Sequence, residues 1–155
     1  MSGSYWEAVE PIWDKISIND VEMFLETYAQ APPHAALLYA AHFCQSEVCN
    51  GGFHQLFYNS TGVLAPEAVR GFHAIGQHKV AETVQAAMDV IGSPYPRDRE
   101  LRWAILSRFS PRDFDALNEQ FYAILDTEAG GFEAAADDYA ARSERLALPR
   151  HPSKD

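Results

Sequence analysis

Glu47-Val48-Cys49-Asn50-Gly51-Gly52-Phe53-His54-Gln55-Leu56-Phe57-Tyr58-Asn59-Ser60-Thr61-Gly62 is the stretch that decides how this chain folds. Before it, the run from Pro33 through Leu37-Leu38-Tyr39-Ala40-Ala41-His42-Phe43-Cys44 to Cys49 is apolar over most of a helical circumference, as in a helix buried on all sides. Pro33 fits its first turn, where a missing N–H leaves no helical bond unmade. Asn50, Gly51 and Gly52 tolerate positive φ and break the helix. Phe53, Leu56 and Phe57 then resume helical spacing in a short segment ending near Gly62. The expectation is an all-α fold, a single compact multi-helix domain whose central buried helix is broken at an Asn-Gly-Gly turn. Phe53 and Phe57 are expected to pack back onto the preceding helix. Glu47, Asn50, Gln55 and Asn59 offer hydrogen bonds to the ends that the break opens.

Outward from this stretch the periodicity stays helical. Trp6, Val9, Ile12 or Trp13, and Ile16 predict an amphipathic helix over residues 4 to 16, with Pro11 as its weak point. Asn19 or Asp20 can cap a second helix carrying Val21, Phe24, Leu25 and Tyr28, which stops before Pro32-Pro33. Two further helices, over 65 to 75 and 77 to 91, are separated by Gly76, and the second carries Val80, Val84, Ala87, Met88 and Ile91 on one face. Gly92 to Pro96 is a loop, followed by a helix through Leu101, Ile105 and Phe109. Ser110-Pro111-Arg112-Asp113 has the form of an N-cap, a first-turn proline and an acid at the third position. It opens a helix through Phe114, Leu117, Phe121 and Leu125, and a last helix covers about 130 to 147. No β alternation, repeat or linker interrupts this order. The reading is one helical domain over 1–148 with a flexible C-terminal tail over 149–155.

Composition agrees with one core. The chain has 155 residues, 47% hydrophobic and 12% aromatic, and a chain of this size buries roughly 70% of its extended surface on folding. Cys44 and Cys49 are the two cysteines, and on one helix they stand about 140° apart, so they should not pair and read as reduced core thiols. The first residues lack the basic stretch and apolar run of a signal peptide, and no segment has the ~20 apolar residues that span a bilayer. A cytoplasmic location is expected.

The formal net charge of −10 excludes a direct nucleic-acid binder and disfavours an anionic membrane, because both need basic surface. The excess sits at the ends. Residues 1–30 carry six acids against Lys15 alone, the stretch to Phe109 balances six acids with six bases, and from Ser110 ten acids face five bases, giving −5, 0 and −5.

The spacing of Glu47, Asn50, Gly51, Gly52, Phe53, Gln55, Asn59 and Gly62 resembles a motif, E-x-x-N-G-G-F-x-Q-x-x-x-N-x-x-G, that marks a family of small bacterial proteins of unknown function. Ala68, Phe72 and Ile75-Gly76 fit the next helix of that family, so the likeness covers about residues 33 to 125. The family includes a DNA mimic, an acidic helical protein that occupies a DNA-binding regulator in place of DNA. The resemblance implies a binding role and assigns no catalytic residue.

Several acids fall at helical spacing: Glu7/Glu10/Asp14, Glu22/Glu26, Asp115/Glu119 and Glu133/Asp137. Such pairs hold Cβ atoms about 5–6 Å apart, comparable with phosphates that rise about 3.4 Å per step along a strand and wind sideways as they do so. They are the candidate partner-binding face, directed at the basic surface of a protein such as a transcription regulator. The same acids also make an ordinary solvated face that keeps a protein soluble. A different class of function would place a small-molecule or enzymatic pocket at the motif, using Glu47, Asn50, His54, Gln55 and Asn59. A third would use Tyr5, Trp6 and Trp13 as a self-association face in a homo-oligomer. The six histidines form neither H-E-x-x-H nor a Glu-x-x-His pair, so no metal and no cofactor is expected. No G-x-S-x-G elbow, Cys/His signature or P-loop appears, and the chain reads as a non-enzyme.

Overall fold

The structure, a computed structural model, describes residues 4–147; the expected tail over 149–155 lies outside them. Eight α-helices make one compact domain, and no strand occurs among the described residues. They are α1 (Trp6–Val9), α2 (Val21–Gln30), α3 (Pro33–Tyr58), α4 (Ala65–Ala74), α5 (His78–Ile91), α6 (Arg99–Leu106), α7 (Asp115–Leu125) and α8 (Phe132–Ala147).

α3 is the axis of the domain, packed by α1, α4, α6, α7 and α8. Leu38, Ala40, Ala41, Cys44, Val48, Phe53, Leu56 and Phe57 are all fully buried along it. Neighbours cover most of its circumference, and solvent reaches it at Ser46, Cys49, Asn50 and Gly51 beside the break and at Tyr58 at its end. Gly71 lets α4 approach closely: a Cβ there would stand 2.5 Å from the Leu37 carbonyl oxygen of α3. An aromatic layer of Phe57, Phe114, Phe53, Phe121, Phe72 and Phe132, packed mostly edge to face, ties α3 to α4, α7 and α8.

The N-terminal segment departs from its expected form. Only Trp6–Val9 is helical, and beyond it the chain runs as turns, with Ile12 N–H donating to the Val9 carbonyl and Lys15 N–H to that of Ile12. Pro11 has no N–H to bond back to the Glu7 carbonyl, and the helix ends at Val9, two residues before it. Val9, Ile12 and Ile16 still reach the core.

Elsewhere helix ends follow local chemistry. Asp20 caps α2 by accepting from Met23 N–H, and Asp98 caps α6 by accepting from Leu101 N–H. Ser110 and Asp113 form the capping box, which opens a 3-10 turn over Pro111–Phe114 that leads into α7. Phe109, expected on α6, lies past its end in the connection to that turn. Gly76, at φ +87, separates α4 from α5, whose first N–H groups are then satisfied from a distance: the Glu128 carboxylate accepts from Lys79 and Val80 N–H at 2.8 and 3.0 Å.

Candidate protein-binding surface and the motif at the helix break

α3 breaks at Gly52, where φ is +79 and ψ −179. In a straight helix residues 8 and 12 apart would be separated by about 12 and 18 Å along the axis. Instead the Glu47 carboxylate accepts from Gln55 Nε2 at 2.9 Å, Asn59 Nδ2 at 3.1 Å and Thr61 Oγ1 at 2.8 Å. The chain therefore turns back on itself at Gly52, and the motif's polar side chains bond to one another across the bend.

The ends opened by the break are served from α7, which corrects the expectation that the motif's own polar residues would serve them. Asn118 Oδ1 accepts the Phe53 N–H at 2.9 Å, and one turn on, the Tyr122 hydroxyl donates to the Val48 carbonyl at 2.8 Å. The motif glycines answer to close neighbours. A Cβ at Gly51 would overlap the Gln55 side chain, one at Gly52 would stand 2.7 Å from the Asn118 amide nitrogen, and one at Gly62 would meet the Leu56 carbonyl oxygen and Arg102 Nε at 2.7 and 2.8 Å. Phe53 and Phe57 are buried, Phe53 against Phe121 of α7 and Phe57 against Phe114 of the 3-10 turn. His54 packs edge-on to Phe114. Asn50 is exposed and makes no side-chain hydrogen bond among the described residues.

Arg102, fully buried, completes this corner. Its guanidinium donates to the carbonyls of Phe57 (2.8 Å), Asn59 (2.9 Å) and Arg97. The first two belong to the C-terminal end of α3, where unmatched carbonyls and the helix dipole favour a cation. Arg99 Nε and Trp103 Nε1 both donate to the Tyr58 carbonyl at the same end. Behind it, buried Glu67 holds Arg97 by two hydrogen bonds of 2.7 and 2.8 Å and Arg70 by one of 2.8 Å. Sequence reasoning found neither Arg102 nor Asn118. Apart from Arg97, their partners lie 43 to 65 residues away, and arginine or asparagine on a helix carries no local sign of such a bond.

The acids divide into those consumed by the fold and those left to solvent. Asp137 belongs to the first group: it accepts the Tyr5 N–H at 2.7 Å and pins α1 to α8. Glu133 is exposed beside it, and burial together with the charges of Glu133 and Asp137 pushes the Tyr5 hydroxyl up to about 12. Asp115 and Glu119 are exposed on α7, and Glu22 and Glu26 on α2. Glu7, Glu10 and Asp14 are exposed too, but they do not share a helical face, because α1 ends at Val9. Glu7 and Glu144 line one small concavity with Ser4 and His34, whereas Asp14 lines another with Trp13, Lys15 and Phe43. Thus Glu7, from one end of the chain, shares a concavity with Glu144 from the other, while Glu133 and Asp137 flank Tyr5 near the start of α8. Glu22 and Glu26 stand apart on α2.

The expected aromatic face dissolves. Tyr5 is buried against Phe132, with its hydroxyl 2.7 Å from His42 Nδ1, and Trp6 packs on the His42 ring; of the three, Trp13 alone is exposed. The two thiols are free, but only Cys44 is a core thiol; Cys49 is exposed. Among the described residues no group of three or more His, Cys, Asp or Glu side chains is placed to hold a metal, and no helix is long and apolar enough to cross a membrane.

Fold and surface together define an acidic all-α domain whose sequence motif is closed in on itself and whose free carboxylates face solvent. A family model described as DMP19-like protein matches residues 29–143, well over half of the chain, and the chain belongs to that family. The match begins at Ala29, so α1 and most of α2 lie outside it, while Asp115, Glu119, Glu133 and Asp137 lie inside. Comparison with curated proteins gives no match, and neither does comparison with solved structures.

Proposed function

We propose that this protein is a non-catalytic, cytoplasmic binding protein that sets its carboxylates against the basic surface of a DNA-binding protein, in the place that DNA would take. Membership of the DMP19-like family supports a protein partner of this kind. The observation that carries the reading is that acids from both ends of the chain line the side where the Asp137 carboxylate holds the Tyr5 N–H, with Asp115 and Glu119 also exposed, on α7. The motif supports a surface role over a ligand pocket, since Glu47, Gln55, Asn59 and Thr61 spend their hydrogen bonds on each other.

The test is capture from host lysate at low salt, with the captured proteins identified and then challenged with duplex DNA. The reading expects a DNA-binding protein that the duplex displaces. Recovery of no DNA-binding protein, or of one that binds duplex and this protein together, removes it.

A further inference from the structure

A concavity of about 510 Å³ lies between α1, α3, the end of α7 and the start of α8. Trp6, Phe132 and the Tyr5–His42 pair supply aromatic lining, and Gln45 and Cys49 continue it along α3. Asp126 and Glu133 stand on its rim, Asp126 close enough to Cys49 to help raise that thiol and Glu133 close enough to Tyr5 to help raise that hydroxyl. Neither carboxylate is in an ion pair or accepts a side-chain hydrogen bond among the described residues. This separates them from Asp20, Asp98, Asp113, Glu128, Asp137 and Asp138, each of which the fold uses. No lysine or arginine lines the opening. Its one imidazole, His42, is held toward the neutral form by burial.

We infer that this concavity receives an arginine side chain projected by the protein partner. A planar guanidinium can lie on an aromatic face while its edge donates to carboxylates, and it sheds water more readily than an ammonium. Here the aromatic surface and two unengaged carboxylates border one opening that has no cation of its own. The inference rests on the protein-binding reading above and assigns it a point of entry; Asp126, which the sequence patterns did not single out, becomes part of the contact surface.

The probe is a blocked Gly-Arg-Gly tripeptide titrated into the full chain and followed by amide and indole NMR, with lysine and citrulline tripeptides as comparators. The arginine peptide should shift the Trp6 indole and the Gln45 and Cys49 amides saturably, with the lysine peptide weaker and the neutral, near-isosteric citrulline peptide without effect. Asp126→Asn with Glu133→Gln should weaken arginine binding about fivefold or more, while Glu22→Gln with Glu26→Gln should leave it unchanged. Both pairs are exposed, so folding is retained and is checked from the remaining amides. Equal binding of citrulline, or shifts spread evenly over α2 and α7 with none at Trp6, overturns the inference. Its failure is distinct from that of the parent reading. A captured DNA-binding protein that the Asp126/Glu133 double variant still holds with full affinity ends the arginine site alone. Arginine binding without any captured DNA-binding protein ends the parent reading alone.

Discussion

At the scale of the residue, Gly62 and His42 carry the clearest consequences. Gly62 has no positive φ to explain it; it is needed because Arg102 and the Leu56 carbonyl leave no room for a methyl group. Gly62→Ala must displace a guanidinium that holds carbonyls at the end of α3, and we expect a loss of about 2–3 kcal/mol in urea unfolding. His42 is half-buried next to Tyr5 and Trp6, and that partial burial lowers its pKa from the ordinary 6.5. Neutral His42 and the Tyr5 hydroxyl share a 2.7 Å hydrogen bond at Nδ1, where the imidazole accepts in its Nε2-protonated tautomer and donates in the other. A depressed folded-state pKa means that the unfolded chain binds the proton more readily. The stability that His42 contributes is therefore complete above about pH 6.5 and is lost as pH falls through the folded-state value. His42→Gln, whose amide offers Tyr5 either a donor or an acceptor, should flatten the melting temperature against pH between about 5 and 7.

At the scale of the element, the break in α3 is a joint built by α7. Asn118 and Tyr122 stand one turn apart on α7 and serve opposite sides of the joint, 65 and 74 residues from their partners. Asn118→Ala strands a buried N–H and should cost about 1–3 kcal/mol. Tyr122→Phe should cost about 1 kcal/mol. Because both bonds hold one bend, the double variant should depart from additivity by about 0.5 kcal/mol or more in a double-mutant cycle. The joint also marks how far local reasoning reached. Gly51-Gly52 declared a break, since a run of two glycines after a helix has few other uses, and the apolar circumference of residues 33 to 49 declared burial. What bonds the break was not legible, because Asn118 and Tyr122 lie on a helix whose own periodicity already accounts for them. The first helix was overread for a related reason: apolar spacing continues through Pro11, but the bonds needed to turn it into helix do not.

At the scale of the whole molecule, charge tallied along the chain became charge arranged in space. The two acidic ends summed to the same value in sequence, yet only folding showed that α1 lies on α8, that Asp137 is consumed in holding it there, and that Glu22 and Glu26 stand elsewhere. Contact through exposed carboxylates is screened by salt, whose Debye length shortens from about 30 Å at 0.01 M to about 8 Å at 0.15 M. Association with the partner should accordingly slow and weaken across that range, with most of the change in the association rate. Replacing Asp115, Glu119 and Glu133 with their amides should reduce both the affinity and its salt dependence, read by stopped-flow or calorimetry. An unchanged salt slope would remove α7 and the start of α8 from the interface.

Cys49 offers a practical return from the same geometry. It is the exposed member of the two thiols, it stands at the opening beneath Trp6, and Cys44 is sealed in the core. One unaltered side chain is thus an attachment point for a reporter dye, and no residue need be engineered to obtain it. Burial and the nearby Asp126 charge raise its pKa, so maleimide coupling should speed up as the solution is made alkaline. A bound arginine peptide should slow that coupling by covering the sulfur, so the native chain can announce occupancy of its own concavity through a reaction rate.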